Sequence, residues 1–234
     1  MREDAYYYGG MITIPYGTDP DQVIDKYEQY SSARPRIVLI HGGYWGVEWN
    51  RDHFKKVAQA LSDLTWNVSS IEYRRRPGDP DLLVKDVRSA LDTFVNEKII
   101  LIGFSAGGHL ALITERFYSN VVAVIGLAPV ADMEETERLG LGQGAVVEWL
   151  NGPATSRPDL NPMKLPSPKV PLYIIQGNVD DRVPYELTQG YIRYCKSGGT
   201  VVTFFPLDNI GHFEFTEPEG ATWEALLAAL EHIQ

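Results

Sequence analysis

The feature that most constrains this chain is Gly103-Phe104-Ser105-Ala106-Gly107, set between a short apolar run and a helical pattern. Residues 98–102 (KIILI) read as a strand, and residues 106–118 as a helix. A G-x-S-x-G pentapeptide alone is a frequent chance match. Between a strand and a helix it describes a sharp, strained turn that presents the serine hydroxyl at the end of a sheet. Small residues two before and two after the serine let strand and helix approach closely. The helix start then aims backbone N–H groups at negative charge developing beside Ser105. A helix-capping serine is the competing role, and it leaves the two flanking glycines unexplained.

The rest of the chain repeats the alternation. Residues 11–15, 36–40, 67–73, 121–127, 171–176 and 200–205 read as strands. Their short, continuous apolar runs suit strands covered on both faces, as in a parallel sheet. Residues 51–63, 80–95, 184–197 and 220–233 carry apolar stripes at helical spacing, and Pro184 suits a first helical turn. Strands alternating with helices imply right-handed βαβ crossovers and an α/β fold in which helices cover both faces of a mostly parallel sheet. The expectation is a single domain over residues 1–234. One stretch, about 131–169, carries no convincing strand and is rich in glycine and proline. It reads either as a surface excursion with one or two short helices or as a small lid insertion over the site.

A serine hydroxyl needs an adjacent base to act as a nucleophile. Of five histidines, His41 belongs to a second glycine motif, His41-Gly42-Gly43-Tyr44-Trp45, directly after the strand 36–40. His53 and His232 fall on helical stretches at the surface or boundary, and His109 points along the helix that follows Ser105. His212, in a loop after the last strand, is placed to face Ser105 and is the expected base. A carboxylate must orient that imidazole and stabilise its charged form. It should follow the strand 171–176, where Asp180 and Asp181 both lie. Asp180 is preferred, leaving Asp181 to cap the next helix or pair with Arg182. The catalytic set is therefore Ser105, Asp180 and His212. The expected oxyanion donors are the backbone N–H groups of Gly43, Tyr44 and Ala106.

Composition narrows the function classes. The 31 Asp and Glu exceed the 21 Lys and Arg, a formal net charge of −10, so a phosphate backbone would be repelled and no nucleic-acid partner is expected. The one cysteine, Cys195, excludes an internal disulfide and a multi-thiolate metal site. No metal and no organic cofactor are implied. The N-terminal residues Met-Arg-Glu-Asp-Ala-Tyr-Tyr-Tyr lack the apolar core of a secretory signal, and no apolar run reaches the ~20 residues that span a bilayer. The expectation is a cytoplasmic protein acting on a small-molecule substrate without a membrane partner; oligomeric state is left open.

HGGYW at 41–45, GFSAGGHLAL at 103–112, GNVDDRVP at 177–184 and GHF at 211–213 together resemble the α/β-hydrolase superfamily. The resemblance is closest to its esterase/lipase-like members and to the animal-type kynurenine formamidases (arylformamidases). HGGYW resembles the formamidase version of the oxyanion loop. The resemblance implies a serine hydrolase, a carboxylesterase or an arylformamidase, cleaving a small ester or formyl amide through an acyl-enzyme on Ser105. The Ser…Asp…His order agrees with this fold. Peptidase-like action is one rival reading; a non-catalytic binding protein on the same fold is another, and the intact catalytic set argues against it. Trp45, Trp49 and Phe104 are the expected substrate-pocket residues, with Trp149 a further candidate. Arg74, Arg75 and Arg76 either meet a substrate carboxylate or form a solvated loop.

Overall fold

The structure, a computed structural model, describes residues 10–29 and 33–233. The N-terminal octapeptide read above lies outside them. Eight strands form one sheet: β1 (Met11–Pro15), β2 (Val23–Tyr27), β3 (Arg36–Ile40), β4 (Val68–Ile71), β5 (Ile99–Phe104), β6 (Val121–Leu127), β7 (Leu172–Gly177) and β8 (Val202–Leu207). Their order is β1-β2-β4-β3-β5-β6-β7-β8. All pairings from β4 onward are parallel, while β1 and β2 run antiparallel at one edge. The chain has the α/β-hydrolase architecture.

Period-two alternation divides the core between two faces. From β5, Ile100, Ile102 and Phe104 enter one cluster with Phe54, Leu61 and Leu226. The intervening Ile99 and Leu101 enter the other with Leu83, Leu110 and Tyr191. Helices α1 (Lys55–Asp63) and α7 (Gly220–Glu231) therefore cover one face. Helices α2 (Pro80–Asp92), α3 (Ala106–Thr114) and α6 (Tyr185–Ser197) cover the other. β5 is buried along its whole length at the middle of the sheet, and burial of its aliphatic side chains, about 1.5–3 kcal/mol each, makes its end a rigid platform.

Two expectations need adjustment. Strand β2 went unread because VIDKY places Asp25 and Lys26 inside a five-residue run. Asp25 is buried at the sheet edge, where it accepts hydrogen bonds from Thr13 Oγ1 (2.6 Å) and Arg51 Nε (2.8 Å). Pro184 precedes α6 instead of opening it. The 131–169 stretch contains α4 (Met133–Arg138), α5 (Ala145–Leu150) and four 3-10 turns between Leu141 and Lys164. It joins the α2/α3 side of the core through Val146, Trp149, Leu150 and Leu160.

Candidate active site

Ser105, Asp180, His212 and the 41–45 glycine motif meet at the carboxyl ends of β3, β5, β7 and β8, where open α/β sheets place their ligand sites. Ser105 follows β5 with φ 54° and ψ −118°. A non-glycine residue there carries about 1–3 kcal/mol of strain, which the surrounding close packing sustains. A Cβ on Gly107 would enter the carbonyl oxygens of Ile40 and His41. A Cβ on Gly42 would lie 2.8 Å from the Phe104 carbonyl oxygen and 3.0 Å from Ser105 Cβ. Both glycines are thus required by close approach: one seats α3 against β3, the other seats the β3 loop against the serine. The capping role does not apply, since the Ser105 side chain makes no hydrogen bond to the helix start.

His212 lies past β8, and its Nδ1 is 2.7 Å from Asp180 Oδ2. Both side chains are buried. Asp180 is held from several directions: its Oδ1 accepts from the N–H groups of Arg182 and Val183, each at 2.8 Å, and its Oδ2 also accepts from Gln176 Nε2 at 2.9 Å. Acceptance by the carboxylate places a proton on His212 Nδ1 and leaves the Nε2 lone pair free to take another. Asp181 is exposed, makes a 3.5 Å ion pair with Arg182 and caps no helix.

Ser105 and His212 share a cleft of about 190 Å³. Gly43, Tyr44, Trp49, Phe104, Arg182 and Phe213 also line it. Tyr44 and Trp45 have positive φ, 48° and 60°, so the loop after β3 turns its backbone sharply. The N–H groups of Gly43, Tyr44 and Ala106 make no hydrogen bond to any described residue. The Tyr44 hydroxyl donates to the Arg182 carbonyl at 2.5 Å, and burial, with Asp180 nearby, pushes its pKa up to about 12.

Several assignments shift. Trp45 does not line this cleft. It is 3% exposed, stacks on Trp149 at 4.6 Å, and its indole N–H donates to His109 Nδ1 at 3.3 Å. Those tryptophans join the insertion to the β3 loop and border a separate, smaller cavity. His109 in turn donates from Nε2 to the Leu160 carbonyl at 2.7 Å, and burial lowers its pKa to about 4. Arg74 is spent on Asp86, bonding it through Nε and Nη2 at 2.7 Å each. Arg75 donates to Glu72 at 2.7 Å and to the Trp49 carbonyl at 2.6 Å. The cation on the cleft is Arg182 instead. His53, read as a surface or boundary residue, lines the cleft.

Glu72 had no sequence signal beyond its place at the end of an apolar run. It is 1% exposed and takes His41 Nε2 at 3.0 Å, Arg75 at 2.7 Å and the Arg51 N–H at 3.0 Å. Burial pushes its carboxyl up, but the bond and charge of His41, then Arg75 and the Arg51 N–H, outweigh this and hold it at about 2.

A model of the BD-FAE family matches residues 24–192, well over half of the chain. The chain belongs to the BD-FAE family. This BD-FAE member is 24% identical to kynurenine formamidase of Danio rerio over 228 residues, covering 88% of this chain and 76% of the relative. It is 32% identical to versiconal hemiacetal acetate esterase of Aspergillus parasiticus over 114 residues, 43% of this chain and 35% of that one. Among solved structures it resembles esterase B from Lactobacillus rhamnosis inhibited by a tributyrin phosphonate, with a TM-score of 0.82 at 20% identity over 96% of this chain and 84% of that one. Thermogutta terrifontis esterase 2 phosphonylated by sarin gives a TM-score of 0.76 at 21% identity, covering 95% and 92%. These likenesses establish the fold. The BD-FAE chain is an esterase-like hydrolase of the α/β-hydrolase superfamily that resembles kynurenine formamidase. Among the described residues no helix is long and apolar enough to cross a membrane.

Proposed function

We propose that the chain is a serine hydrolase that cleaves a small carboxylic ester or formyl amide through an acyl-enzyme on Ser105. The observation that carries this reading is one cleft holding a strained Ser105 and a His212 whose Nδ1 is tied to Asp180 at 2.7 Å. His212 Nε2 takes the proton of the Ser105 hydroxyl as Oγ bonds to the substrate carbonyl carbon. The developing oxyanion receives the free N–H groups of Gly43, Tyr44 and Ala106. His212 returns its proton to the departing alcohol or amine as the carbon–leaving-group bond breaks. Water then repeats the sequence: His212 takes its proton, hydroxide oxygen bonds to the acyl carbon, and Ser105 Oγ leaves and is reprotonated. Asp180 stays ionised and stabilises the imidazolium.

The small cleft and its Trp49, Phe213 and Phe104 walls favour a compact, aromatic-bearing substrate. Likeness to a kynurenine formamidase along most of the chain supports the formyl-amide branch, and the acetate-esterase likeness over a shorter stretch supports the ester branch. In this reading residues 131–169 form a small lid insertion on a single hydrolase domain, anchored to the β3 loop by the Trp45–Trp149 stack. The test compares kcat/KM for N-formylkynurenine and p-nitrophenyl butyrate, with Ser105→Ala as control. A marked preference for the formyl amide assigns formamidase action. An inert formyl amide with a hydrolysed ester assigns an esterase. Equal inactivity of wild type and variant on both substrates contradicts the proposal and favours a binding role.

A further inference from the structure

The cleft that holds Ser105 and His212 is also lined by a histidine that the reaction above does not use. His53 sits on the 3-10 turn Arg51–Phe54, its ring 3.9 Å from that of Trp49. Its Nδ1 is enclosed and has no hydrogen-bond partner among the described residues. Its Nε2 is neither enclosed in that way nor engaged. Buried groups almost always find partners, and an orphaned N–H is rarer than an under-used acceptor. The proton therefore belongs on Nε2, and a bare lone pair faces the enclosed side. Burial, then the charge of His41, lowers the His53 pKa, which favours this neutral form.

The backbone that carries the ring is held at three points. The Trp49 carbonyl accepts from Arg75 at 2.6 Å, the Arg51 N–H donates to Glu72 at 3.0 Å, and the His53 N–H donates to the Asn50 carbonyl at 3.2 Å. The cleft thus has an uncommitted donor beside Trp49, carried on a held backbone. Of the other side-chain donors on the cleft, the Arg182 guanidinium pairs with the exposed Asp181 at 3.5 Å. The Tyr44 hydroxyl is held by Arg182, and the Gly43 and Tyr44 N–H groups serve the scissile carbonyl.

We infer that His53 is a specificity-determining residue that donates a hydrogen bond from Nε2–H to a second acceptor oxygen on the substrate, separate from the scissile carbonyl. This rests on the hydrolase reading of Ser105 and narrows its substrate class to esters or amides bearing a further carbonyl or ether oxygen. A site that hydrogen-bonds a substrate group discriminates against analogues lacking it, because the donor is left unpaired.

The test uses the full chain and four esters: phenyl acetate, which has no such oxygen, and the 2-, 3- and 4-acetylphenyl acetates, which place one at three positions. Labelling of Ser105 by a fluorophosphonate is measured first; a wild type that does not label overturns the Ser105 reading and this inference with it. His53→Phe keeps a ring against Trp49 and removes the donor. His53→Gln keeps a donor near the Nε2 position. The expected result is a fall of tenfold or more, in His53→Phe, in kcat/KM for at least one acetylphenyl acetate relative to phenyl acetate. The loss should sit mainly in KM, and His53→Gln should recover most of it. An unchanged ratio for all three isomers, or a ratio that falls equally in both variants, overturns the inference.

Discussion

The molecule contains two buried imidazole–carboxylate pairs of nearly the same length. His212 meets Asp180 at 2.7 Å, and His41 meets Glu72 at 3.0 Å. Both lie beyond the carboxyl ends of strands. Their surroundings separate them. Asp180 takes only neutral N–H donors besides its histidine, and the far side of His212 opens into the Ser105 cleft. Glu72 is surrounded by Arg75 and Arg51, and the far nitrogen of His41 is turned to the Gly42 carbonyl at 2.8 Å while Tyr73 stacks on its ring. One pair keeps a free nitrogen for chemistry; the other has every polar atom committed and holds the loop that carries Trp49 and His53. A short imidazole–carboxylate contact does not by itself mark a catalytic group. What the second nitrogen faces decides the matter.

The largest effect should come from Ser105→Ala, which removes the proposed nucleophile: kcat falls on the order of 10⁴–10⁶, measured by initial rates on an activated ester. Asp180→Asn should come next, with a loss of about 10³–10⁴ in kcat, because the imidazole loses its orientation and its stabilised charged form. Glu72→Gln should reverse that pattern. Removing the carboxylate from its buried cations should cost about 3–5 kcal/mol in chemical denaturation, while kcat of the folded fraction changes less than tenfold.

The smallest effect concerns pH. His109 is buried with its pKa lowered from 6.5 to about 4. The unfolded chain therefore binds a proton between those values that the folded chain does not, and stability falls as pH drops from 6.5 to 4 and levels off below. The group's share is roughly 3 kcal/mol. Glu72 acts lower on the scale: its contribution is present above the ordinary carboxylate range and is lost as pH falls toward 2. In His109→Gln the slope of unfolding free energy between pH 6.5 and 4 should shrink, read from denaturant curves at each pH.

The contrast also explains what the sequence made legible. Parallel strands and the serine turn were readable because a strand buried on both faces is a short apolar run, and because the turn needs glycine at fixed offsets. The order Ser105, Asp180, His212 followed from which strand each loop succeeds. β2 was not readable, since Asp25 and Lys26 interrupt its apolar run and the partners of a buried Asp25, Thr13 and Arg51, are tertiary and leave no local period. The roles of Trp45 and Trp49 were interchangeable in the sequence, four residues apart on one loop. Positive φ at Tyr44 and Trp45 turns the first indole inward to the insertion and leaves the second at the cleft. Glu72 and His53 have no local signal: the meaning of the first lies in His41 and Arg51, distant in the chain, and that of the second in a nitrogen that only the fold encloses.

In the proposed mechanism only one of the two imidazole–carboxylate pairs serves Ser105. The most direct measurement is the rate of fluorophosphonate labelling of Ser105, followed by intact-protein mass, in wild type, Asp180→Asn and Glu72→Gln at matched folded fraction. The account predicts labelling slowed at least a hundredfold in Asp180→Asn and less than tenfold in Glu72→Gln. Comparable slowing in both variants, or slowing confined to Glu72→Gln, would contradict it.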